Sequence, residues 1–199
     1  MGLLAFSGAS ALENSILQET VTEVEVSNIA SIALMDPKFA LAPIEDKKTF
    51  TVKLTAYNAV PEQTDDDPMT TASGAYSNPE IIAARSVDLK EDLPWGTVIK
   101  VTRAGADSHN CRFSEVESQI GYRVIGDSMH SRKREQIDIL LNQNNTVPVY
   151  GKEINPALAL GLCSEVTIEV VGHIDGVKNF PKTQAELVAL VEGSHLAKR

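Results

Sequence analysis

Residues 121–141 read GYRVIGDSMHSRKREQIDILL: an apolar stretch ending at Asp127, a basic connector with Arg132, Lys133 and Arg134, and a second apolar stretch holding Asp138 between Ile137 and Ile139. Tyr122 and Val124 alternate with polar residues, and Ile137, Ile139 and Leu141 alternate around Gln136 and Asp138, so both halves predict short β-strands. Asp138 then shares a face with Gln136 and Leu140. An aspartate in such a run is disfavoured by strand propensity and by desolvation unless something satisfies it. A lone aspartate of this kind commonly points to solvent from an edge strand. A second aspartate upstream, with three cations between the two, argues for a paired site.

Outward from this stretch, residues 50–57 (FTVKLTAY) alternate cleanly and predict a first strand, with further strands over 81–87, 97–101 and 165–171. Between them lie a polar loop over 61–73, a polar insertion over 103–120 holding His109, Cys111 and Arg112, and a second insertion over 142–155 broken by Pro148 and Gly151. Asp65, Asp66 and Asp67 repel one another and predict a solvated turn rather than a calcium site. Residues 156–160 predict one helical turn before Gly161. Upstream, 21–26 partly alternate as a strand and 28–35 are apolar and ambiguous. Pro37, Pro43 and the charged 45–48 mark a linker. Downstream, Thr183 and Glu186 have capping-box spacing ahead of Leu187, Val188, Leu190 and Val191, predicting a short helix packed on the domain and ending near Gly193.

Asp127-x-Met129-His130-x-Arg132 followed by Ile137-Asp138-Ile139 resembles the end of the 3D domain, a bacterial family named for three aspartates. Other pieces stand in order: Thr55-Ala56-Tyr57 resembles the family's TAY, Thr71-Ala72-Ser73-Gly74 its TASG, Leu93-Pro94-Trp95-Gly96-Thr97 its IPLGT, and Ala159-Leu160-Gly161 with 166–171 its closing A-x-x-G and last strand. The resemblance spans about residues 50–171 and implies a mostly-β protein: a six-stranded double-psi β-barrel, barwin-like, with an N-terminal extension over 12–49 and a C-terminal tail over 172–199 carrying the short helix. Relatives in that group include lytic murein transglycosylases of the membrane-bound A type. By resemblance Asp138 stands at the proton donor's position and Asp127 beside it, with Tyr57, Thr71, Ser73, Gly74, Met129, His130 and Arg132 as substrate-binding positions. The family's first aspartate closes an IAVD strand; here Ile82-Ala83-Ala84-Arg85 stands instead, and Asp88 is displaced from that place.

The chain of 199 residues, 43% hydrophobic and 23% charged, suits one core with tails, and no apolar run of 18 or more residues spans a bilayer. A net charge of −9 repels phosphates, which argues against a nucleic-acid partner. Aromatics are 5%, too few for a broad stacking platform, although Trp95, Tyr57, Tyr76 and Tyr122 each offer one surface. Residues 1–11 (MGLLAFSGASA) join an apolar run to an A-x-A site but lack a positive n-region: either a truncated secretory signal or a small-residue N-terminal segment. Export to the cell envelope or beyond is the expectation. Cys111 and Cys163 then sit where a disulfide is permitted, or are two unrelated buried residues. Two cysteines without paired histidines give no zinc pattern, and no motif calls for a metal or a cofactor.

Glycosidic cleavage needs a proton on the leaving oxygen, hence a carboxyl that stays protonated near neutral pH. Burial and a like charge both raise a carboxyl's pKa, and Asp138, flanked by isoleucines and near Asp127, meets both conditions. The expectation is peptidoglycan glycan-strand cleavage, with Asp138 as acid/base and Asp127 tuning it. Against it stands the basic connector, which favours ionised aspartates. The alternative is a non-catalytic barrel in which Arg132 or Arg134 pairs with Asp127 and the protein binds cell-wall glycan or a protein partner.

Overall fold

The computed structural model describes residues 41–42, 48–64, 67–103 and 111–196, all within the unit Lys38–Arg199. The expectations for 1–11, 21–26 and 28–35 lie outside the described residues, as do Asp65, Asp66 and His109. In chain order the elements are β1 (Thr49–Tyr57), β2 (Ile82–Arg85), β3 (Thr97–Arg103), α1 (Phe113–Ile120), β4 (Tyr122–Ser128), β5 (Gln136–Leu140), β6 (Val147–Val149), β7 (Lys152–Ile154), α2 (Pro156–Leu160), β8 (Cys163–His173) and α3 (Gln184–Leu196).

Six strands close a barrel in the order β1-β5-β2-β4-β3-β8. The pairs β1·β5 and β2·β4 are parallel and the other four antiparallel. This closed, mixed, six-stranded barrel is the architecture anticipated from the sequence, and its two parallel pairs are compatible with a double-psi crossing. Alternation supplies the interior: Leu54, Ala83, Ile99, Ile125, Ile137, Ile139 and Ile168 are fully buried and belong to one apolar cluster. Each large aliphatic side chain so buried contributes about 1.5–3 kcal/mol. No helix among the described residues is long and apolar enough to cross a membrane.

Period two does not hold on both faces. In β4, Arg123 is fully buried rather than solvated on a polar face: it lies two residues from Ile125 and opposite Ile99, both in the apolar cluster, so it shares their inner face. Its guanidinium donates to the carbonyls of Ile120, Gln119, Pro79 (2.7 Å) and Leu140 (3.1 Å). The two helical carbonyls belong to the last turn of α1, where unsatisfied acceptors and the negative dipole end attract a cation. Burial nonetheless lowers its pKa to about 9.

The insertions carry structure that the sequence hid. Residues 113–120 form α1, which buries Phe113, Val116 and Ile120 at helical spacing. Residues 147–154 form the β6–β7 hairpin, turning through Tyr150 (φ 50°) and Gly151 (φ 75°), the pair of positive φ values a tight two-residue hairpin turn requires. Cys111 and Cys163 form a disulfide that fastens the chain ahead of α1 to the first residue of β8. The turn at 156–160 appears as α2, capped by the Asn155 carboxamide oxygen accepting from Ala157 N at 2.9 Å.

Half of the capping box at α3 forms, with Glu186 N donating to Thr183 Oγ1 at 3.2 Å, while the return bond falls one residue earlier than Thr183. Glu186 Oε2 in turn accepts from Lys182 N at 2.6 Å. Leu187, Leu190 and Val191 are buried, and the helix runs through Gly193 to Leu196 because Gly193 keeps helical geometry.

Candidate active site

The residues alternating with the core face the other side of the wall: Thr55 and Tyr57 on β1, Gln136 and Asp138 on β5, and Ala84 on β2. Register makes the arrangement definite. Thr55 pairs with Asp138 across β1·β5, and Asp138 pairs with Ala84 across β5·β2. On β4 the register to β2 shifts between Ala83 and Ala84: Ala83 pairs with Ile125, Ala84 with Asp127, and Gly126 is left over. A β-bulge of this kind re-aims a side chain. A side chain on Gly126 would require Ile82 to move, since an added Cβ would meet its Cδ1 at 2.7 Å.

Thr55, Asp138, Ala84 and Asp127 thus stand in one rank across four strands. With strands about 4.8 Å apart, the two aspartate Cα atoms are about 10 Å apart and their carboxyl groups project into one space. That space is a cavity of about 570 Å³ lined by both aspartates, Tyr57, Ala84, Ser128, Met129, His130 and Lys133, and roofed by Gln63, Thr64, Thr70, Ala72 and Ser77.

Asp127 is held on both oxygens. Oδ2 accepts from Tyr57 Oη at 2.7 Å, and Oδ1 accepts from Ala72 N at 2.9 Å and Ser128 N at 2.8 Å, the acceptor-only pattern of a carboxylate. These partners come from β1, the roofing loop and β4. Burial, then the Asp127 charge and hydrogen bond, push the Tyr57 phenol far above its ordinary range, so it remains a donor. Asp138 differs: burial pushes its carboxyl up to about 6, against the Thr55 hydrogen bond (2.8 Å to Oδ1) and the Lys133 charge, with the Asp127 charge adding to the rise.

The connector is less hostile to a protonated acid than its composition suggests. Of its cations only Lys133 lines the cavity. Arg134 directs its guanidinium to the carbonyls of Ser131 and Lys133. Arg132 is exposed and off the cavity, and none of the hydrogen bonds on Asp127 comes from an arginine among the described residues. His130 is exposed at the rim, its Nδ1 accepting from Arg132 N at 3.2 Å. Met129 is buried against the cavity, its N donating to Arg85 O at 2.9 Å.

The remaining sequence candidates are placed around this space rather than in it. Thr71 and Ser73 bond each other through their hydroxyls at 3.0 Å and flank Ala72, whose N–H reaches Asp127. Gly74 (φ 82°) turns the loop away and borders a separate hollow with Tyr76 and Phe180. Asp88 is also elsewhere, Oδ2 accepting from Glu135 N at 2.9 Å; burial pushes its carboxyl up, but hydrogen bonds from Glu135 and Ser86 outweigh this and hold it below its ordinary value. Arg85 is buried with Nε on Leu93 O (2.7 Å) and its guanidinium 4.2 Å over the Trp95 ring.

Sequence reasoning placed Gln136 on the Asp138 face but missed Ala84, Gln63, Thr64, Thr70, Ser77 and Lys133 as cavity residues and Thr55 as the hydrogen-bond partner of Asp138; only the β1·β5 pairing brings Thr55 to it. Among the described residues no group of three or more histidine, cysteine or carboxylate side chains is placed to hold a metal ion. No family model matches the chain, and no curated protein matches it.

Proposed function

We propose that this cavity cleaves the glycan strand of peptidoglycan, with Asp138 as acid/base and Asp127 as its partner. The observation that carries this reading is the unlike pair of carboxyls in one cavity, Asp138 raised to about 6 by burial and Asp127 held by three donors. A buried carboxyl with a raised pKa is the general acid that glycosidic cleavage requires.

Asp138, protonated, gives its proton to the glycosidic oxygen as the bond to C1 breaks. The resulting carboxylate takes the proton of the sugar's own 6-hydroxyl, whose oxygen attacks C1 to give a 1,6-anhydro end, and Asp138 is restored. Asp127 stabilises positive charge developing on the sugar ring, fixed by Tyr57, Ala72 and Ser128. Gln63, Thr64, Thr70 and Ser77 give the roof hydroxyl and amide groups suited to a saccharide. The Cys111–Cys163 disulfide supports a site of action outside the cytoplasm, where such bonds persist.

A second reading, a barrel that binds wall glycan without cutting it, is favoured by Lys133 in the cavity and by Arg85 where the family pattern has an aspartate. Digestion of purified peptidoglycan, with mass spectrometry for 1,6-anhydromuramoyl ends, separates the two. Wild type releases such ends and Asp138→Asn releases them about a hundredfold more slowly or less. Wild type that sediments with the polymer yet releases nothing refutes the enzyme and leaves the binder.

A further inference from the structure

Gln136 and Asp138 are two apart on β5 and so project from the same face, and Thr55 on the parallel strand β1 stands between them. Gln136 Nε2 donates to Thr55 Oγ1 at 2.8 Å, and Thr55 Oγ1 donates to Asp138 Oδ1 at 2.8 Å. Gln136 is 5% exposed and anchored through its own backbone N to Ser86 Oγ at 3.1 Å. A threonine hydroxyl has one hydrogen and two lone pairs. With one lone pair taken by the amide N–H, the hydroxyl turns its hydrogen to Asp138 Oδ1.

We propose that Thr55 and Gln136 are positioning residues that hold the transferable proton of Asp138 on Oδ2, the oxygen not engaged by Thr55. Oδ1 already receives a hydrogen, so a proton placed there would meet the hydroxyl hydrogen head-on. Oδ1 is therefore the carbonyl oxygen of the neutral acid, and Oδ2 carries the proton into the cavity. The inference rests on the acid/base role given to Asp138. Without the amide, the hydroxyl turns freely and the proton is shared between the two oxygens, one of them facing β1, where no substrate atom reaches.

The charged and titratable groups sharing the cavity with Asp138 are Asp127 on β4, Lys133 and His130 in the connector, and Tyr57 on β1. None stands between Asp138 and Thr55, so the relay can be altered without touching them.

The test uses the whole chain and two readouts that need no turnover. The first is titration of the Asp138 side-chain carboxyl by carbon NMR. Thr55→Val, nearly isosteric, removes a donor to the ionised form and moves the midpoint up by about one pH unit, while Thr55→Ser restores it. The second is the infrared carbonyl band of protonated Asp138, taken at pH 5 as wild type minus Asp138→Asn. It moves to higher frequency in Thr55→Val because Oδ1 loses its donor. Thr55→Ala serves should the valine variant not fold. With peptidoglycan, Thr55→Val and Gln136→Met lower kcat about tenfold at unchanged KM, since neither side chain touches substrate. A midpoint and a band that stay at wild-type values in Thr55→Val or Thr55→Ala overturn the relay, even if Asp138→Asn abolishes lysis. A wild type that releases no anhydro ends defeats the enzyme reading while the two spectroscopic results still decide the relay.

Discussion

Ala84 has an aspartate on each side: its partner across to β5 is Asp138 and its partner across to β4 is Asp127. Its methyl group is all that β2 places between the two carboxyl-bearing side chains, and the residue is 3% exposed. Ala84→Val keeps a strand-favouring residue and pushes two more carbons into the cavity floor. Stability changes by less than about 3 kcal/mol. Co-sedimentation with wall polymer falls at least tenfold, measured beside thermal unfolding; unaltered sedimentation places the polymer elsewhere.

The raised carboxyl of Asp138 predicts a particular pH dependence of stability. The folded protein binds this proton more tightly than the unfolded chain, whose carboxyl has its ordinary value of 3.8. No stability is lost below about pH 4. It falls as pH rises from about 4 to about 6, and the deficit of about 3 kcal/mol is complete above that. Asp138→Asn removes the deficit, so urea unfolding finds the variant more stable than wild type at pH 7 and equal at pH 3.5. A variant weaker than wild type at pH 7 contradicts the burial cost assigned to this group.

Arg123 serves four backbone carbonyls drawn from the end of α1, the turn at Pro79 and the end of β5. Arg123→Leu leaves these acceptors buried and unpaired, and the expected loss is at least about 3 kcal/mol. Arg123→Lys recovers only part, since a compact ammonium does not span acceptors arranged for a planar fork. Chemical denaturation of the three proteins ranks them arginine, lysine, leucine.

The disulfide closes a loop with a sequence separation of 52 residues. Cross-linking a loop of that length restricts the unfolded chain by about 4 kcal/mol in the chain-entropy account. Reduction, or the double change Cys111→Ala with Cys163→Ala, lowers the urea midpoint accordingly, and the double variant no longer responds to reductant. An unchanged midpoint on reduction argues that the bond contributes nothing to stability.

The barrel was legible because its strands alternate: Leu54, Ile137 and Ile139 announce an inner face by spacing alone, whereas in β4 the spacing singled out Tyr122 and Val124 and it is Ile125 that joins the core cluster. Asp138 was legible as a buried acid from its two isoleucine neighbours, and the α3 cap from Thr183 and Glu186. What escaped depends on chain segments far apart in sequence. Thr55 meets Gln136 across 81 residues, and an alanine carries no signal that it separates two acids. Arg123 read as an ordinary polar residue on an alternating strand, since nothing in the stretch says that it faces inward with Ile125 or that carbonyls from α1, Pro79 and β5 converge on it. Val147–Val149 is too short, and Pro148 too unfavourable, to announce the hairpin it begins.

The unpaired Gly126 has a consequence in parity. Along an uninterrupted strand, residues two apart project to the same side, so Asp127 would follow Ile125 into the barrel interior. The leftover glycine makes the count odd and sends the carboxylate outward to Ala84. Whether this aspartate is a misplaced charge in an oily interior or a participant in a polar cavity is therefore decided by one residue of arithmetic in the backbone, not by any property of the side chain. Deleting Gly126 would make Ile125 and Asp127 neighbours on a regular strand and leave both facing as they do, whereas straightening the bulge with Gly126 in place would turn the carboxylate inward.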